Sequence, residues 1–242
     1  MPSNIWANHT IGDLNPDYYS TQLYKALSNI TLTAKPGTQF LYSDYVMGLL
    51  GHILSLKQGG ISYEELVKDR ILNVLGMNDT KITLSDYEIN HRYPTGHLNG
   101  SEIETPVVPE VIAGAGALRS TADDLIKYLS ANIGLIHTKL DTSFQLQNLI
   151  QHPSVIPNPM NYDAYVALGW GVLTNFGTEL LNHAGAINGW NSYAGFDPQK
   201  QLGVVILCSC DFKDVDMEKL AYMLLNLTGV ESINNLTEKS IK

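Results

Sequence analysis

The sequence predicts an α+β fold: a mostly helical, loop-rich lobe over residues 1–166, then an antiparallel sheet closed by one helix over residues 167–242, all in one domain. Three observations predict it. Helical periodicity dominates the first two-thirds of the 242 residues. From Ala167 the apolar pattern switches to period two. The final run, about Val215–Leu227, returns to helical spacing. Helices, then strands, then one helix is the α+β order, not the strand–helix alternation of a parallel sheet.

The elements follow in chain order. Tyr18–Leu27 reads as a short helix. The turn signal Pro36-Gly37 leads into Tyr42-Ser43-Asp44 and a stronger helix, Asp44–Lys57. There Val46, Leu49, Leu50, Ile53 and Leu54 form the stripe expected to face the core, and Asp44 is a candidate N-cap. Gly59-Gly60 stops this helix. Ser62-Tyr63-Glu64-Glu65 is a capping box that opens the next, Tyr63–Leu75, which Gly76 ends. Met77 to about Ala117 is rich in Gly, Pro, Asn and Thr and reads as one long irregular segment. Segments of that length are usually functional or lie over a larger body. Ser120-Thr121-Ala122-Asp123-Asp124 caps a helix to about Asn132, its acids at the positive end, and a further helix is expected over Thr142–Gln151.

"LGWGVLTN", "ELLNHAGAI", "NSYAGFD" and "LGVVILCSC" read as four strands, the last two joined by the turn Asp197-Pro198-Gln199-Lys200. The closing helix carries Leu220, Met223, Leu224 and Leu227. Three or four strands under one helix make a thin core with edges to cap. Nothing N-terminal to Ala167 reads as further strands, so an incomplete domain is expected.

Composition bounds the function. Apolar residues make up 44% and charged residues 16%, an ordinary globular balance. A net charge of −9 without a basic stripe disfavours nucleic acid and anionic lipid as partners. No apolar run approaches the roughly 18 residues of a membrane span. The first residues lack the basic-then-apolar pattern of a secretory signal. The two cysteines, Cys208 and Cys210, share a strand face and are expected to be unbridged core residues. The histidines show no metal-ligand spacing; His91 and His97 are the nearest approach to one, and no metal or cofactor is expected. Asn-x-Ser/Thr sequons occur at Asn8, Asn29, Asn78, Asn99, Asn226 and Asn235. Chance would supply roughly two or three.

Four pieces carry chemistry: "PGTQFLYSD", "VLGMNDT", "GALRSTADDL" and "HAGAINGW". In this order and spacing they resemble the serine β-lactamase and D-Ala-D-Ala peptidase (penicillin-binding protein) superfamily, closest to the class C-like branch that also holds esterases. The resemblance runs from about Leu14 to Leu227 and implies a β-lactamase/transpeptidase-like fold. By position it implies that Tyr42 is the tyrosine that relays a proton to the leaving group. Asp44 stands where the family motif has Asn, as in Tyr-Ser-Asp variants of esterase-like members, and would hydrogen-bond the substrate. His183 and Gly185 would match the Lys-Thr-Gly or His-x-Gly strand that pairs with the substrate backbone. The amide of Ala186 would form one arm of the oxyanion hole. The expected substrate is a β-lactam, a D-Ala peptide or an ester.

A phenol works as a base only beside a cation that stabilises the phenolate. The family supplies that cation and the nucleophile from a Ser-x-x-Lys motif. No serine of this chain is followed three residues later by lysine: Ser43 leads to Val46, Ser55 to Gln58 and Ser120 to Asp123. The nucleophile is therefore expected to be absent, with the chain inactive alone and a missing N-terminal segment or complementing chain as partner. Two alternatives stand beside this: a non-catalytic module that binds peptide or acyl ligands, and a relocated nucleophile, for which Ser120 is the candidate. Family members are usually exported, which leaves the compartment open.

Overall fold

The period-two region does form antiparallel strands, but in a larger sheet than its sequence suggests. A computed structural model describes residues 17–154, 164–174, 177–211 and 215–225. Its main sheet has six antiparallel strands in sequential order: β3 (His152–Pro153), β4 (Ala164–Val166), β5 (Gly171–Leu173), β6 (Leu180–Ile187), β7 (Trp190–Asp197) and β8 (Leu202–Cys208). Two strands thus precede Ala167, against expectation. They span two and three residues, too short to show alternation. The "LGWGVLTN" run is also broken. Ala167 N donates to the Trp170 carbonyl at 2.8 Å, Gly169 takes φ +93°, and only Gly171–Leu173 remains a strand.

Both faces of the sheet are packed. On one, Leu173, Leu180 and Tyr193 meet Met217, Ala221 and Tyr222 of the C-terminal helix α8 (Met217–Leu224) and its C-cap Leu225. On the other, Trp170, Val172, Leu181 and Phe196 meet Leu129 of helix α6 (Ala122–Ile133). Each buried Leu, Val, Met or Phe side chain here contributes roughly 1.5–3 kcal/mol. Of the apolar positions expected on the last helix, Leu227 lies outside the described residues.

The helical part begins with α1 (Ser20–Ser28) and α2 (Asp44–Lys57). Ser43, not Asp44, caps α2: its hydroxyl accepts from Val46 N at 3.2 Å, and Asp44 is the first helical residue. The Asp44 side chain is therefore not spent on the cap. The buried face of α2 also differs from the expected stripe. It consists of Tyr45, Gly48, Leu49, Gly51 and Ser55, while Leu50 (46% exposed), Ile53 (49%) and Leu54 (43%) face outward. The reason is close packing. Gly48 and Gly51 let the helix lie against a 3-10 segment, Glu110–Ala115, and a Cβ on Gly48 would stand 2.9 Å from Ile112 Cβ. Periodicity counts apolar side chains and misses a face built from glycine.

The next helix is α3 (Tyr63–Val67), a π turn (Lys68–Leu72) and α4 (Asn73–Leu75), ended by left-handed Gly76. The segment expected to be irregular holds α5 (Asp86–His91), the β1–β2 hairpin (Gly96–Leu98, Ser101–Ile103) and the 3-10 segment. The hairpin turns at Asn99-Gly100, both at positive φ, a turn signal legible in the sequence. Helix α6 is capped by Thr121 rather than Ser120, and α7 spans Asp141–Gln147. Asp124, 2% exposed, ties α6 to the preceding loop. It accepts from Asp79 N (2.8 Å), Thr80 Oγ1 (2.9 Å) and Lys127 Nζ (2.7 Å).

The cysteines also depart from expectation: Cys208 and Cys210 form a disulfide. Cys208 ends β8, and once the chain leaves the strand Cys210 no longer has to follow its alternation. The Cα atoms stand 5.3 Å apart, within reach of a bridge.

The glycine contact yields a test. Gly48→Ala is expected to destabilise the fold by about 1–3 kcal/mol through overpacking against Ile112, read as a lowered urea midpoint. An unchanged midpoint would show that the contact is not tight.

Candidate active site

The site begins with a strand that is only half paired. Strand β6 pairs with β7 from Leu181 to Ile187, but with β5 only from Leu180 to Asn182. From His183 onward one edge of β6 has no strand partner among the described residues, and His183, Ala184, Gly185 and Ala186 are exposed. Gly185 is the residue that fits here, because a Cβ would meet Ser192 Oγ at 2.8 Å.

Facing that edge is the N-terminus of α2. Gly37, at φ +79°, turns the preceding loop, and the Ser43 cap fixes where the helix starts. Tyr42 thereby projects toward β6, its ring centroid 6.2 Å from that of His183. Tyr42, Asp44, His183, Gly185 and Ala186 all line one cleft of ≈ 820 Å³. The structure thus brings these five residues together.

The electrostatics follow from enclosure. Desolvation in the cleft raises the Tyr42 phenol well above its ordinary value, and the Asp44 carboxylate adds to this by its charge and by accepting a hydrogen bond. The phenol is held neutral. Desolvation also lowers His183, opposed by a hydrogen bond to the Ala184 backbone and by the charge of Asp44.

The cations on the cleft wall are engaged elsewhere. Arg92 pairs with Asp79 at 2.6 Å. Arg119 donates to the Ile82 and Pro106 carbonyls and lies 5.6 Å from the Tyr93 ring, so it pins the loop. Ser43 is 7% exposed and caps its helix, so it is no nucleophile. Ser120 lines the cleft, but its hydroxyl is tied to Thr80 Oγ1 at 2.7 Å and to the Thr121 carbonyl at 3.3 Å, with no base among these partners. Lys35 is exposed.

Sequence reasoning missed the far wall. Tyr63, Tyr93 and Trp190 line it, the Tyr93 and Trp190 rings tilted at 30° with centroids 5.5 Å apart, and Cys208 and Ser209 border it. Gly96 lets this wall close, since a Cβ there would strike the Trp190 ring. Trp170, by contrast, is a core residue at 6% exposure. His91 bonds the Tyr87 carbonyl and His97 the Ser209 carbonyl. Among the described residues no group of three His, Cys, Asp or Glu is gathered as for a metal ion, and no helix is long and apolar enough to cross a membrane.

A family model described as Beta-lactamase matches residues 3–227. The chain belongs to the beta-lactamase family. It is 25% identical over 239 aligned positions to a Beta-lactamase of Escherichia coli K12, covering 86% of this chain and 61% of that protein. It is 24% identical over 194 positions to D-alanyl-D-alanine-carboxypeptidase/endopeptidase AmpH of the same organism, covering 77% and 49%. Among solved structures, a Beta-Lactamase/D-Alanine Carboxypeptidase from Pseudomonas syringae superposes with TM-score 0.74 at 23% identity, covering 87% of this chain and 66% of that one. A class C beta-lactamase superposes with TM-score 0.71 at 20% identity, covering 94% and 69%. These likenesses establish the α+β beta-lactamase/transpeptidase-like fold. The chain spans about half to three-fifths of the length of the two curated relatives.

The cleft makes a titration prediction. His183 is expected to titrate below the ordinary value of about 6.5, and Asp44→Asn to lower it further by removing the opposing charge. Its neutral form therefore contributes stability that is fully present above about pH 6.5 and is lost as pH falls through the lower folded value. An NMR titration of the His183 ring checks both; a midpoint at or above 6.5 would contradict them.

Proposed function

We propose that this chain is the substrate-contacting part of a serine hydrolase of the β-lactamase, D-Ala-D-Ala carboxypeptidase or esterase type, inactive by itself. The observation that carries the reading is the placement of Tyr42 and Asp44 across one cleft from the free edge of β6. In acyl transfer, a serine hydroxyl attacks the substrate carbonyl, the leaving group takes a proton, and water later releases the acyl group. Tyr42 relays that proton. The β6 edge around His183 and Gly185 pairs with the substrate backbone, and Asp44 hydrogen-bonds it. The Ala186 amide faces the developing oxyanion, a contact worth about 2.7–4 kcal/mol in such sites.

What this chain does not encode is the Ser-x-x-Lys pair. An ammonium supplied with that pair would oppose the desolvation and the Asp44 charge that raise the Tyr42 phenol. The nucleophile then comes from an upstream segment or a complementing polypeptide. Among the described residues, the apolar face of α2 bearing Met47, Leu50 and Leu54 is exposed and the β8 edge away from β7 has no strand partner, and either could receive it.

The chain alone is expected to hydrolyse neither a chromogenic cephalosporin nor p-nitrophenyl esters above the buffer rate, with Tyr42→Phe indistinguishable from the unaltered chain. Turnover by both proteins at equal rates would remove Tyr42 from the mechanism. Turnover lost in Tyr42→Phe would show a nucleophile within this chain.

A further inference from the structure

The excess of sequons has no part in acyl transfer, and the structure separates them from the other asparagines. Three sequon asparagines fall among the described residues, Asn29, Asn78 and Asn99, and all three are exposed. Of the described asparagines outside sequons, Asn132 and Asn191 are buried and Asn148, Asn182 and Asn188 partly so; Asn73 and Asn90 alone are exposed. The sequon positions also sit where the chain reverses: Asn29 at the C-cap of α1, Asn78 in the turn after α4 and Asn99 at the tip of the β1–β2 hairpin.

The third residue of each tripeptide divides them again. Thr31 and Ser101 are exposed. Thr80 is 6% exposed, its hydroxyl held by buried Asp124 and by Ser120. The Asn29 and Asn99 side chains are exposed; Asn99 is anchored through its backbone N–H, which donates to Asp211 at 3.3 Å, so its side-chain amide is not spent on that contact. The Cys208–Cys210 disulfide is an independent observation in the same direction, since such bonds persist in oxidising compartments, where N-glycosylation also takes place.

We propose that Asn29 and Asn99 are N-glycosylation sites of this protein. The side-chain amide nitrogen attacks the anomeric carbon of an oligosaccharide carried on a polyprenyl diphosphate. An N–C bond forms, the anomeric C–O bond to the diphosphate breaks, and the amide proton leaves with the polyprenyl diphosphate. The hydroxyl two residues on is the feature the transferase reads.

The test is to direct the full chain through the secretory pathway of a glycosylating eukaryotic cell, release glycans enzymatically in ¹⁸O water and map the peptides. The expected result is ¹⁸O-labelled aspartate at positions 29 and 99, with Asn29→Gln and Asn99→Gln each removing one glycan from the intact mass. Unmodified asparagine at either position overturns the assignment there. Transfer precedes quality control of folding, so cell-retained chain gives the same readout if little is secreted.

Discussion

The site depends on one uneven pairing. Strand β6 is bonded along its length to β7, yet it loses β5 after Asn182. An antiparallel strand held firmly on one side and open on the other is a rigid template for an extended backbone. The rest of the architecture keeps it so. α8 and α6 pack the two faces of the sheet, which holds β6 and β7 in place without covering the edge. The cleft exists because that edge and the start of α2 face each other across a gap that no described side chain fills.

The second constraint is backbone proximity. Gly48 and Gly51 bring α2 against the Ile112–Gly114 backbone, so the helix start cannot drift from the cleft wall formed by the following segment. Ser43 takes the cap, which leaves the Asp44 carboxylate to the Tyr42 hydroxyl. A little further on, Asp124 gathers Asp79, Thr80 and Lys127, and Thr80 in turn holds Ser120. Two small-scale devices, a glycine face and one buried carboxylate, thus set the positions of residues distant in sequence.

What was legible in the sequence follows from length scale. Helix α2 and the long strands β6, β7 and β8 were readable because each repeats its pattern several times. Strands β3 and β4 were not, at two and three residues. The burial of α2 was misread because its packed face is made of small residues, while its large apolar side chains point outward. Tyr42, Asp44, His183, Gly185 and Ala186, which line one cleft, are proposed as site residues through motif order, which periodicity does not supply. Tyr93 and Trp190 were not legible, because their pairing joins two segments nearly a hundred positions apart. The cysteines were misjudged by extending strand geometry past the end of β8.

We propose that this beta-lactamase-family cleft presents a substrate-pairing edge and a proton-relaying tyrosine without a nucleophile in the same chain. The most direct measurement is the intact mass of the folded chain after exposure to a reactive penicillin and, separately, to a fluorophosphonate. The account predicts an unchanged mass with both. A stoichiometric adduct on either would contradict it, and peptide mapping would then name the nucleophile this chain carries.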